Sequence, residues 1–174
     1  MSNRQNVYSF LKNDIGLDEQ QQQALEQNLK NFNFNIYDQP VEGALAIKKA
    51  IFDRYGATKK AFTCYSRILT IPLGTLYARM QFFEEVGAKI TSENLMKTLG
   101  MSNNQFVEGY KEYFIMKELL PMDRAECVKR VKQAMSERYP LPGNKKEIIK
   151  KIKEREGEGK WNLSDQTQTG CQKK

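Results

Sequence analysis

The stretch "NLMKTLGMSNNQFVEGY", residues 94–110, sets three amide side chains, Asn103, Asn104 and Gln105, directly after Ser102. Asn and Gln are the side chains whose adjacent donor and acceptor match the exposed major-groove edge of adenine. The spacing around them supplies a frame. Leu95, Met96 and Leu99 fall on one apolar face, Gly100 is placed for a left-handed turn, and Met101 anchors it. Ser102 followed three residues later by Gln105 reads as a capping box. Phe106 and Tyr110 return to the core, which leaves the amides and Glu108 outward at a helix N-terminus, where helix-turn-helix motifs meet base edges. The same spacing also describes an ordinary helical hairpin with a polar outside. Met96 stands where such motifs usually hold a small residue, and the candidate reading face carries no arginine.

Basic residues flank this motif on both sides. In "TKKAFTCYSRILTIPLGTLYARMQFF", residues 58–83, Lys59, Lys60, Arg67 and Arg79 are expected along exposed surfaces. There they would touch phosphate, which positions a protein without reading sequence. Tyr65, Tyr77, Phe82 and Phe83 are interleaved at helical spacing and read as core. Further on, "NKKEIIKKIKEREGEGKW" sets Ile148, Ile149 and Ile152 among Lys145, Lys146, Lys150 and Lys151, the pattern of a basic amphipathic helix. Its lysines would add affinity for a polyanion. In the rival reading, a protein-interaction module, its isoleucine stripe docks on a partner.

Other chemistry is thinly represented. The chain has no histidine, hence no imidazole base, ligand or nucleophile partner. No glycine-rich phosphate loop or acidic calcium loop occurs. The three cysteines, Cys64, Cys127 and Cys171, have no CxxC spacing and fit a reducing, intracellular compartment, either cytoplasmic or nucleoid-associated, with an organelle still open. Glu84 and Glu85 are adjacent, and neighbours on a helix point about 100° apart, so an exposed, solvated pair is expected. A non-enzymatic chain without metal or cofactor follows. The net charge is +7, distributed as −3 over residues 1–43, +4 over 44–87, +2 over 88–142 and +4 over 143–174. Such an excess favours a nucleic-acid partner, DNA ahead of RNA, although many basic domains bind none. No apolar run approaches the roughly 20 residues that cross a bilayer, so no membrane partner is expected.

The elements that would position these residues are helical throughout. Asp18 caps a helix with Ala24, Leu25 and Leu29 inward, and "NFNFNIYDQP" is a linker or brief extended segment ended by Pro40. Ala44, Ile47, Ile51 and Tyr55 make one face of a helix stopped by Gly56. Thr58 is placed to cap the next, and Pro72 forces a break before Leu73, Leu76, Met80 and Phe83, with Gly87 as terminator. Asp123 caps a helix carrying Val128, Val131 and Met135. The expected fold is all-α, a compact array of eight or nine short helices with helix-turn-helix-like hairpins. It divides into a helical domain over 1–142, the basic amphipathic helix over 143–160, and a disordered tail over 161–174.

The segments "IKKAIFDRYGATKKAF" and "LYARMQFFEEVGAKIT" share an apolar helix, an aromatic near its end and a Gly-Ala pair, with Gly56 and Gly87 31 residues apart. "YSFLKNDIGLDEQ", with Gly16, reads as a degenerate third copy. Over about residues 44–113 this pattern resembles the repeats of the mitochondrial transcription termination factor family, through Leu69, Pro72, Leu76, Arg79, Phe82, Phe83 and Gly87. The resemblance implies a superhelix of stacked helical units whose basic concave face tracks a nucleic-acid backbone, with Arg79 as the basic position. The proline signature occurs clearly once, and only two or three units are present.

Overall fold

The computed structural model describes residues 2–115 and 123–157. Among them lie ten α-helices and no strand, so the all-α expectation holds. They are α1 (Asn3–Ser9), α2 (Glu19–Lys30), α3 (Ala46–Arg54), α4 (Thr58–Thr63), α5 (Leu73–Glu85), α6 (Leu95–Thr98), α7 (Asn103–Tyr110), α8 (Glu112–Ile115), α9 (Arg124–Arg138) and α10 (Lys145–Gly157). Wider-wound π turns over Phe10–Ile15 and Val41–Leu45 and tighter 3-10 turns over Ile36–Asp38 and Ser66–Thr70 complete the path. The expected tail, 161–174, lies outside the described residues.

Local chemistry decides where the helices begin. At α2, Asp18 accepts from the Gln21 backbone N–H at 2.8 Å while Gln21 Oε1 accepts the Asp18 N–H at 3.0 Å, a reciprocal capping box. Ser2 and Gln5 repeat the device at α1, a helix that the apolar pattern alone did not reveal. Asp123 accepts from the Glu126 N–H at the head of α9. Thr58 does not cap α4: its hydroxyl turns back to the Asp53 carboxylate, and the capping position falls to Ala57, which has no side-chain oxygen.

The ends are equally specific. Gly16, Gly56 and Gly87 adopt φ of 87°, 62° and 81°, a left-handed conformation that side chains resist. After Gly56 and Gly87 the next N–H reaches back five residues, Ala57 to Phe52 O and Ala88 to Phe83 O, both at 2.9 Å, closing Schellman-type ends. After Gly16 the Leu17 N–H instead reaches back six residues to Leu11 O at 2.9 Å, so the three glycines of the sequence repeat share the left-handed φ but only two share the turn. The segment expected as a linker is not free: Ile36 and Tyr37 are buried, and Asn3 Nδ2 donates to the carbonyls of Tyr37 and Gln39.

At the centre runs α5, which buries Leu76, Tyr77, Ala78, Arg79, Met80, Phe82 and Phe83 and is therefore covered on most of its circumference. Phe82 and Phe83 meet Phe106 and Tyr110 of α7 edge-on, with centroids 5.3–6.1 Å apart. Helices α3 and α9 pack on α5, and α10 lies along α3. Ile148 and Ile152 of α10 are buried, Arg54 donates to the Ile152 carbonyl at 2.6 Å, and Lys145 pairs with Glu42 at 2.8 Å. Helix α10 is thus fastened to α3 and to the turn before it. The amphipathic helix packs on the same core through Ile148 and Ile152, which are buried, while Ile149 is partly buried.

Candidate nucleic-acid interface

The hairpin around Gly100 forms, by a different device from the expected one. Gly100 has no left-handed φ. Its N–H donates to Leu95 O at 3.0 Å, and a Cβ on it would stand 2.5 Å from Met96 Sδ and 3.0 Å from Met96 Cα. The smallness that the hairpin needs is thus supplied at Gly100, which allows the larger Met96 to stay. Ser102 and Gln105 form the expected capping box, at 3.1 Å in both directions.

Of the three amides, all are exposed, but they differ in what they already hold. Gln105 Oε1 is engaged by the Ser102 N–H, and Asn103 Oδ1 accepts from Arg79 Nη2 at 3.2 Å. Among the described residues, Asn104 has no such side-chain partner, which leaves its amide for an incoming group. The outer face of α7 also gains a guanidinium that its own sequence lacks: Arg124, at the start of α9, lies 3.5 Å from Glu108 and shares a shallow depression with Asn104 and Gln105. No local motif links Arg124 to α7. Only the packing of α9 on α7 brings them together.

The basic residues separate in the fold. Arg79 is not on an exposed surface: it is 2% exposed, and its Nη1 donates to Leu99 O at 3.0 Å and Met101 O at 2.6 Å. Its guanidinium also lies 4.9 Å from the centre of the Phe106 ring. Burial lowers its pKa to about 10, which leaves it charged at neutral pH. Arg79 therefore ties α5 to the α6–α7 turn and is not presented on the outer surface, where a nucleic-acid backbone would lie. Lys59 is exposed and donates to Gly16 O at 2.9 Å, Lys60 pairs loosely with Glu93 at 3.6 Å, and Arg67 lies 5.7 Å from the Phe32 ring.

The adjacent carboxylates also part company. Glu85 is solvent-exposed and pairs with Arg138, whereas the Glu84 side chain is 3% exposed and pairs with Arg54 at 2.8 Å. The expectation of a solvated pair fails for Glu84, because α3 presents both Arg54 and the Tyr55 hydroxyl to it.

On α10 the buried isoleucines and the exposed lysines lie on opposite faces, with Ile149 partly buried between them. Ile148 and Ile152 point inward, while Lys146, Lys150, Lys151 and Lys153 are exposed. Lys146, Lys150 and Lys153 recur at i, i+4 and i+7, one outward row with neighbours about 5–6 Å apart at Cβ. Lys145, at the edge, is half-buried against Glu42, whose carboxyl it holds below the usual range. Among the described residues, no helix is long and apolar enough to cross a membrane. The chain matches no family model, no curated protein and no solved structure.

Proposed function

We propose that the chain is a non-enzymatic nucleic-acid-binding protein that grips a phosphate backbone through the outward face of α10 and acts in transcription or another DNA transaction. The observation that carries this reading is the division of α10, whose Ile148 and Ile152 are committed to the core while Lys146, Lys150 and Lys153 stand in an exposed row. A helix anchored in this way presents cations at fixed spacing without paying to order them at the moment of binding. Each phosphate neutralised releases a counterion, which makes the contact strong, salt-dependent and indifferent to sequence. The outer face of α7 adds a smaller contact, in which Asn104 and Arg124 are the groups suited to a base edge.

Labelled duplex DNA, single-stranded DNA and RNA titrated against the full chain test the proposal. Duplex binding that weakens on changing Lys146, Lys150 and Lys153 together to Gln supports it. Equal binding by that variant, or no binding of any of the three at low salt, refutes it.

A further inference from the structure

A cleft of about 290 Å³ opens between α5, α7 and α9. Its walls are apolar, built chiefly from Phe106, Val107, Val131, Met135 and Leu141, and its floor includes Arg79. Among the described residues, Arg79 makes no ion pair there. Its partners are the carbonyls of Leu99 and Met101, the amide oxygen of Asn103 and the Phe106 ring, all of them neutral. Buried charges are ordinarily paired, because dipoles alone compensate the loss of water incompletely. Those three hydrogen bonds use three of the five N–H donors that a guanidinium carries, which leaves two for a further acceptor. Lys132 lines the same cleft and is exposed, adding positive potential.

We propose that this cleft binds a small amphipathic monocarboxylate, with its apolar body between α7 and α9 and its carboxylate turned to the Arg79 guanidinium. At about 30 Å³ for each water-sized group, the space takes roughly ten non-hydrogen atoms, close to the lower bound for small-molecule sites. The anion supplies the counter-charge that Arg79 lacks, through the charge-assisted hydrogen bonds that a guanidinium makes best. The site is separate from α10, so it stands or falls independently of nucleic-acid binding.

Octanoate, with octanamide and octylamine as controls of matching chain length, titrated into the full chain and followed by NMR, tests the proposal. Saturable shifts are expected for the methyl groups of Val107, Val131 and Met135 and for the Arg79 Nε–H with octanoate. Octanamide should bind about ten times more weakly or worse, the loss that follows when a charged acceptor becomes neutral. Ser136 lines the cleft and is exposed, so that Ser136→Trp adds bulk to the cleft from a position outside the buried core. It should abolish the shifts while leaving the melting temperature unchanged. Absence of saturable shifts with octanoate, equal affinity for octanamide or octylamine, or undiminished binding by a folded Ser136→Trp variant each overturns the proposal.

Discussion

Arg54 and Glu84, 30 positions apart in the chain, meet in an ion pair of 2.8 Å whose side chains are 4% and 3% exposed. The Tyr55 hydroxyl donates to the same carboxylate oxygen at 2.8 Å, and another arm of Arg54 donates to the Ile152 carbonyl. One guanidinium thus joins α3, α5 and α10. Removing one partner leaves the other charged and buried, a cost of about 3–5 kcal/mol. Glu84→Ala should lower stability by that amount in urea denaturation. Because Arg54 also holds α10, amide exchange should accelerate more in α10 than in α2.

Lys48 gives the fold a pH signature. It is buried, donates to Leu69 O at 2.7 Å, and has no carboxylate partner among the described residues. Burial lowers its pKa from 10.5 to about 8. Between those values the unfolded chain holds a proton that the folded chain has released, so stability must rise with pH across that window and level off below about 8, where both hold it. Lys48→Met removes this dependence. The difference in urea midpoint between the two proteins should change across the window, by an amount equivalent to at most ~3 kcal/mol; parallel curves would contradict the burial.

A side chain at Gly100 should force Met96 to move. Its Cβ would fall 2.5 Å from Met96 Sδ and 3.0 Å from Met96 Cα, so Gly100→Ala should cost about 1–3 kcal/mol, as overpacking does. In a Met96→Ala background the terminal sulfur and methyl are gone, and the cost should shrink. A double-mutant cycle that finds the two sites additive would count against this packing.

Much of this was legible in the sequence, and the failures have definite causes. The reciprocal caps Asp18–Gln21 and Ser102–Gln105 were readable because each is closed within four residues. The same holds for the turns at Gly56 and Gly87. The hairpin at Gly100 was readable as a break but not as a close approach, since both uses of glycine leave the same letter. Thr58 was misread because a hydroxyl has more than one neighbour to bond, and Asp53 competes for it. Arg79 was misplaced because a charge in a periodic pattern reads as solvent-facing. The signal that could have found it is the density of apolar residues around it, "LYARMQFF", which fits a helix buried nearly all round. Nothing in the sequence brings Arg124 beside Asn104 or Arg54 beside Glu84, since long-range packing alone creates those pairs.

Arg79 and the lysines of α10 are expected to separate in experiment. Arg79→Lys keeps the charge but loses the planar fork that reaches two carbonyls and Asn103 at once, so it should lower stability by about 1.5–3 kcal/mol. At temperatures where the variant remains folded, its affinity for duplex DNA should match that of the unchanged chain in anisotropy titrations.

The central claim, that the outward lysine row of α10 neutralises phosphates, is tested most directly by the salt dependence of DNA binding. The affinity of the full chain for duplex DNA, measured across about 50 to 200 mM salt, should fall along a straight line in log–log form. Changing Lys146, Lys150 and Lys153 to Gln removes three contacts, and the slope should flatten by roughly 2 to 3, at about 0.9 for each phosphate. An unchanged slope in that variant, with its fold intact, would contradict the account.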